Sequence, residues 1–431
     1  MAWSSGLMSN SHLFGGLKAF LHLTRSLDDR FQRKAQWSPR HVMVALLLLC
    51  YPGHQMSYRS TLSMITRFGS RLLSWSRIPT VGSMAKARSK LDVETCRDFL
   101  RQLGATAKRS LTQPRHVWRG RSLYAVDGSW LVTRRSADTL KHFRCPSGGG
   151  GYEAHHPRAL MVAAIDLLRR VPLDFVVGRK GQGERTLIKD LVEYFEPGSV
   201  VVIDRGFPSR DLLATLLERG VDVVMRVSAD KANAWKEFQP FLKGKAKTAD
   251  ITLCLGHGKV KHQVTARLVE RDRQRGRPRA GTKKERMVIL TTLRAEDGFT
   301  RDEIVKIYGA RWGIETIFRE LKSFAGLEPL HAKSALGVEQ EVAAALIWMT
   351  IASLLEATAM KDLSEGVKII RADCYRYAGL LLGDFLTNRW STTAFDELVA
   401  ALRKYAYKPK LGRYAKRVCN DPHGRSREQF S

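Results

Sequence analysis

A chain of 431 residues is long enough to bury a large core and to divide into two to four units, which excludes a minimal module. Lysine and arginine outnumber aspartate and glutamate by 72 to 42, a formal net charge of +30, so the expected partner is a polyanion, with nucleic acid ahead of an anionic membrane. Cys50, Cys96, Cys145, Cys254, Cys374 and Cys419 are scattered without a CxxC or Cys/His ligand spacing, which speaks against a disulfide framework and a structural zinc site.

In chain order, Met1 to Gly16 is polar and glycine-interrupted, unlike a secretory leader, and the expectation is a cytoplasmic, nucleoid-associated protein. Residues 1–118 read as an all-helical DNA-binding domain, with apolar runs at Leu13 to Leu23 and Val42 to Leu49. The second run, extended to Tyr51, is about half the length of a membrane span. Within Pro79 to Leu103, Thr80 or Ser83 can cap one helix and Asp92 a second. Two short helices in a basic setting suggest a helix-turn-helix-like reader of DNA, although many helical pairs only pack.

Residues 119–227 change texture. Ser122 to Thr133 reads as a strand holding Asp127, and Ala159 to Val177 as two strands joined at Leu168 to Pro172. A helix over Leu187 to Phe195, a strand over Ser199 to Asp204, a helix over Arg210 to Arg219 and a strand over Val221 to Val227 follow. The fold class is therefore α/β, a mixed sheet with helices. Gly148 to Gly151 matches neither a P-loop nor a dinucleotide fingerprint and reads as a flexible connection.

Residues 228–293 read as a β-rich insertion in which strands Val260 to Glu270 and Met287 to Leu293 flank the loop Arg271 to Arg286. That loop carries eight cations against two acids, and in a nucleic-acid-binding chain it is expected to track phosphates. Residues 294–330 contain Tyr308, Arg311, Glu315 and Lys322 at spacings of three, four and seven. On one helix these side chains fall within roughly a 60° arc. Beside them runs an apolar stripe of Ile304, Ile307, Ile314, Ile317, Phe318 and Leu321. Alone, such a strip is most simply a charged face with i,i+4 ion pairs.

Residues 331–431 read as a helical C-terminal region, with helices over Val338 to Met360 and Val367 to Phe385 and a basic tail. Val342 to Leu355 is bracketed by Glu341 and Glu356 and reads as a buried core helix, so no segment reads as spanning a membrane. From Leu402 to Arg427, Lys and Arg alternate with Tyr405, Tyr407 and Tyr414, a pattern suited to a phosphate backbone with occasional base stacking.

Asp127, Asp204 and Glu315 form the candidate chemistry. Adjacent strand ends faced by a packed helix can bring three carboxylates together, and such a cluster repels itself unless a divalent cation neutralises it. Hard oxygen ligands favour magnesium or manganese, and two such ions support in-line displacement at phosphorus. A chain with 42 acids contains many such triples, so the residue types alone decide little.

The set Asp127-Gly128-Ser129, Asp204-Arg205-Gly206 and Tyr308-x2-Arg311-x3-Glu315-x6-Lys322 resembles the DDE transposases of the insertion-sequence-four group, named for their YREK signature. The resemblance spans about Pro79 to Lys322. It implies a ribonuclease H-like core, interrupted by the β-rich insertion between the second and third carboxylates and completed by the helix in 294–330. It further implies cut-and-paste movement of an insertion sequence, with Asp127, Asp204 and Glu315 holding two Mg2+ ions, for which Mn2+ can substitute, and Asp127 bridging both. Tyr308, Arg311 and Lys322 are expected on DNA phosphates, Trp312 stacked on a flipped base in a hairpin step, Met287 wedged into the stack, and Arg205 on phosphate or in a local ion pair. The implied partners are double-stranded DNA, both terminal inverted repeats and target, and a second copy of the chain in the synaptic complex. Two other readings are a catalytically silent, end-binding repressor or domesticated transposase, and a structure-specific nuclease sharing the fold.

Overall fold

The computed structural model describes residues 37–53, 56–68, 79–146, 154–229, 234–256, 262–271, 286–387 and 391–409. The expectations placed on Met1 to Leu23, on Gly148 to Gly151, on 272–285 of the basic loop and on the tail from 410 onward lie outside the described residues.

Strands β1 (Leu123–Val132), β2 (Arg158–Asp166), β3 (Val171–Gly178), β4 (Val200–Ile203), β5 (Asp222–Val227), β6 (Thr248–Leu255), β7 (His262–Arg271) and β8 (Met287–Thr291) form one mixed sheet. Its order is β3-β2-β1-β4-β5-β8-β7-β6. β1, β4 and β5 run parallel, β3-β2-β1 are antiparallel, and β8, β7 and β6 continue antiparallel beyond β5. The strands of 228–293 thus extend the sheet that begins in 119–227.

The central strands are buried on both faces, and their side chains alternate between two cores as the period of two requires. Leu123 and Ala125 of β1, Val200 and Val202 of β4 and Val224 of β5 enter one core, which the N-terminal and C-terminal helices share. Tyr124 and Val126, Val201 and Ile203, and Val223 and Met225 enter the other. That second core is closed by a 3-10 helix at Ile188–Tyr194 and an α-helix at Arg210–Glu218. The region expected as a helix over Leu187 to Phe195 is therefore a single α-turn, Glu184–Leu187, continued as 3-10 helix.

Helices α1 (Pro39–Leu49), α2 (Tyr58–Phe68), α3 (Val81–Arg88) and α4 (Val93–Ser110) precede the sheet. Thr80 caps α3 in a reciprocal box with Ser83, and Asp92 caps α4 by accepting from the Thr95 N–H at 2.7 Å. The apolar side of α4, from Cys96 and Phe99 to Leu103 and Ala107, is buried. Its Arg97 and Arg101 reach Asp174 of β3 at 2.7 and 2.8 Å, so these two cations are committed to the sheet.

After α5 (Glu184–Leu187), α6 (Arg210–Glu218), α7 (Arg301–Ala310) and α8 (Trp312–Ser323) comes α9 (Ala335–Ala359), buried through most of its 25 residues. By length and composition this helix could cross a membrane, but 83% of its most apolar window is buried inside the protein. It runs through both glutamates that bracket the sequence-predicted segment, because each has an arginine: Glu341 pairs with Arg88 at 2.9 Å and Glu356 with Arg371 at 2.7 Å. Helices α10 (Arg371–Leu386) and α11 (Thr392–Lys404) pack against it.

Arg88 ties α3 to α9 through Gln340 at 2.7 Å, the Gly337 carbonyl at 2.7 Å and Glu341, all buried. Burial pushes the Glu341 carboxyl up, but Arg88 and His331 outweigh it and hold it below the ordinary carboxylate range. Arg88→Met leaves that buried carboxylate with only its His331 contacts and is expected to destabilise the fold by about 3–5 kcal/mol. A carboxyl held low contributes stability above its unfolded value near 4.5 and loses it as pH falls through the folded one. Denaturant unfolding should therefore show the gap between wild type and variant narrowing below that pH.

Candidate active site

Strand register builds the site. Val126 of β1 pairs with Ile203 of β4, and Asp127 and Asp204 each stand one residue further along. Alternation continues the sequence 123, 125, 127 on β1 and 200, 202, 204 on β4, so both aspartates rise on the face of the core that α7 and α8 cover. A residue at either position one step earlier would point into the opposite core.

The segment from Tyr308 to Lys322 is two helices rather than one, α7 ending at Ala310 and α8 starting at Trp312. Arg311 at the junction keeps helical angles (φ −50, ψ −37), so the helical spacing of the strip carries across the break. Ile304 and Ile307 of α7 and Ile314, Ile317, Phe318 and Leu321 of α8 are buried and hold it on the sheet.

The polar strip turns inward. Tyr308, only 2% exposed, donates to Asp204 Oδ1 at 3.1 Å. Arg311 donates through Nη1 to Asp127 Oδ2 at 3.1 Å and through Nη2 to Glu315 Oε1 at 3.0 Å, bridging the two carboxylates. Its buried Nε has no hydrogen-bond partner among the described residues. Lys322 reaches across to the Trp130 carbonyl of β1 at 2.8 Å and pairs with Glu328 at 3.2 Å. Asp127 also accepts from the Gly128 N–H at 2.9 Å.

Burial raises the Asp127 carboxyl, the Gly128 N–H and Arg311 pull it back, and Asp204 and Glu315 push it up again, leaving it above its ordinary value. Burial and then the charge of Asp204 push the Tyr308 hydroxyl up to about 12, so it remains a donor at neutral pH. Asp127 and Glu315 are thus close enough to feel one another, with a guanidinium between them.

Residues 118–351, more than half of the chain, match the family model of the transposase DDE domain. The chain belongs to the DDE transposase family. It is 24% identical over 312 residues to "Transposase InsG for insertion sequence element IS4" of Escherichia coli (strain K12), covering 70% of this chain and 67% of that relative. Among solved structures it is similar to the piggyBac transposase in its synaptic complex with hairpin DNA, at 12% identity and a TM-score of 0.42 over 92% of this chain and 83% of that one, too remote a likeness to inform the fold.

Within this transposase the remaining predicted residues are spread out. Trp312 follows Arg311 and is 58% exposed, with the Arg311 guanidinium 5.7 Å from its ring, so it is not a core residue. Arg205 is exposed on the turn after Asp204. Met287 opens β8 opposite Arg271, half-buried against the core, with its sulfur 3.9 Å from the Arg271 guanidinium.

Sequence reasoning passed over Glu184. Its carboxylate lies beside Gly128 and Gly206, the glycines that follow the two aspartates. Burial raises it, and the charges of Asp127 and Asp204 raise it further. The sequence carries no signal for it, because a glycine after each aspartate is as compatible with a turn or bulge as with a close neighbour.

As they stand, and among the described residues, no three of these groups close on one point where an ion could sit. The donor set nevertheless fits a divalent cation: its members are acceptor-only hard oxygens, and a guanidinium already serves two of them as a stand-in cation.

Proposed function

We propose that this transposase cleaves DNA at the ends of its own insertion sequence in a metal-dependent reaction and joins the freed ends to target DNA. The observation that carries the reading is that Asp127 and Asp204 stand at adjacent parallel strand ends while Arg311 bridges Asp127 to Glu315 on the helix packed over them. The order β3-β2-β1-β4-β5 with its antiparallel hairpin and parallel centre supports a ribonuclease H-like core over 119–227 and 294–330, with 228–293 as its insertion; in this reading 1–118 supplies the DNA-binding helices and 331–431 the C-terminal region.

Asp127, Asp204 and Glu315 would hold two Mg2+ ions, with Mn2+ able to substitute. Such ions, when bound, activate a water or hydroxyl and stabilise the leaving oxygen. The chain's own part is orientation. Tyr308, Arg311 and Lys322 hold the DNA end by its phosphates, for which a guanidinium fork and an ammonium are suited. Arg311 must release Asp127 and Glu315 to do so. Hydrolysis frees a 3′ hydroxyl, which attacks the opposite strand to close a hairpin; a second hydrolysis reopens it before joining to target. Trp312, exposed beside Arg311, would stack on an extruded base, with Met287 and Arg205 as further DNA contacts. Two copies of the chain pair the two ends, and no membrane takes part. Incubation with its element ends and Mg2+, with nicked, hairpin and joined products resolved on denaturing gels, tests this. Products independent of the terminal repeat sequence would overturn it.

A further inference from the structure

Glu184 belongs to none of the motifs described above, yet three fixings aim it at the catalytic strands. β3 ends at Gly178, where a Cβ would stand 2.7 Å from Leu187 Cδ1, so strand end and α5 are in close contact. The turn between them is held by the Arg179 N–H on Gln182 Oε1 at 2.7 Å and by Gly181 at φ +89. Arg185 then donates to the Gly206 carbonyl at 2.8 Å, tying α5 to the turn that follows Asp204.

From there the Glu184 side chain runs between the two aspartate strands. A Cβ on residue 128 would meet its Cγ and Cδ at 3.0 Å and its Oε1 closer still, and a Cβ on residue 206 would meet its Oε2 at 3.0 Å. Neither Gly128 nor Gly206 has a positive φ. The absence of a side chain at both positions leaves the space that this carboxylate fills, and a Cβ at residue 128 would displace it. Its charged neighbours are Asp127 and Asp204, and it has no cation or hydrogen-bond donor among the described residues. Arg311 serves Asp127 and Glu315 and leaves Glu184 unserved. A half-buried anion wedged against two more anions, in a chain with 30 excess cations, is placed for a charge that arrives from outside the chain.

We propose that Glu184 is a fourth carboxylate of the cation site, entering between Gly128 and Gly206, whose lack of side chains leaves room for it. The inference rests on the reading of Asp127, Asp204 and Glu315 as cation-holding. A purely structural wedge would be served equally by glutamine, which has the same shape, and this separates the two roles.

The test is Mn2+ titration of the full-length protein without DNA, following the free-ion signal by electron paramagnetic resonance, with circular dichroism and thermal unfolding as controls of fold. Glu184→Gln is expected to weaken Mn2+ binding by at least about tenfold, the effect of losing even an outer-shell partner. Gly128→Ala, which pushes Glu184 aside, is expected to match it. Asp127→Asn serves as the control for the site itself. If Asp127→Asn loses Mn2+ while Glu184→Gln and Gly128→Ala bind it like wild type, Glu184 is only a wedge. If Asp127→Asn also binds like wild type, or wild type binds no Mn2+, the underlying site reading falls and takes the inference with it.

Discussion

Glu315→Gln is expected to retain binding of the element ends and to lose Mg2+-dependent strand cleavage by at least about 10³-fold, the several kcal/mol that a properly held ion contributes to charge stabilisation in the transition state. The substitution keeps volume and helix propensity, and the amide oxygen can still accept from Arg311 Nη2, so α8 has no reason to move. What it removes is one negative charge from the face that opposes Asp127. Since that face must also receive a polyanion, end binding is expected to hold or tighten slightly, an outcome opposite to that of general unfolding. A gel-shift assay on the terminal repeat and a cleavage assay on the same preparation separate the two quantities. Full cleavage by the variant would sink the assignment of Glu315.

How legible this was from the sequence varies by element for physical reasons. Asp127 and Asp204 became candidates through the motifs Asp127-Gly128-Ser129 and Asp204-Arg205-Gly206 and not through strand position alone, since Asp166 and Asp174 also stand in apolar strands and serve as partners of arginines. The strip on α7 and α8 could be found because Arg311 keeps helical angles at the junction, so spacings of three, four and seven survive a break the sequence did not announce. That the strip faces the two aspartates was legible once the motifs were taken together, but the contacts of Tyr308 with Asp204 and of Arg311 with Asp127 were not, because they are set by tertiary packing rather than period. Glu184 was hidden altogether, because it follows a glycine-rich turn and starts a single helical turn, too short to show any periodicity. The helix α9 shows the opposite case, where buried arginine partners let apolar helix run through Glu341 and Glu356.

Arg311→Ala is expected to lower the stability of the metal-free protein and to enlarge the stabilisation that Mg2+ gives. Arg311 is the cation that Asp127 and Glu315 share, and its removal leaves two facing carboxylates with Asp204 and Glu184 nearby. Breaking a fully buried pair costs about 3–5 kcal/mol; with the Glu315 side chain 39% exposed, about 2–4 kcal/mol is the expected loss. The gain from Mg2+ follows from competition. In the wild type an ion reaches these oxygens only as the guanidinium withdraws, and its unpartnered, buried Nε makes that position one it can leave. In the variant no withdrawal is needed, so the same Mg2+ concentration stabilises the fold further, as any ligand does that binds only the native state. Thermal unfolding with and without Mg2+ reads both effects at once. If Arg311 instead helped to hold the ion, the variant would show a smaller Mg2+ shift than wild type, and the picture of a guanidinium standing in for the metal would fail. If Arg311 also takes a DNA phosphate, as proposed, the phosphate would compete with Asp127 and Glu315 for it, and docking of the end and release of the carboxylates would become one event.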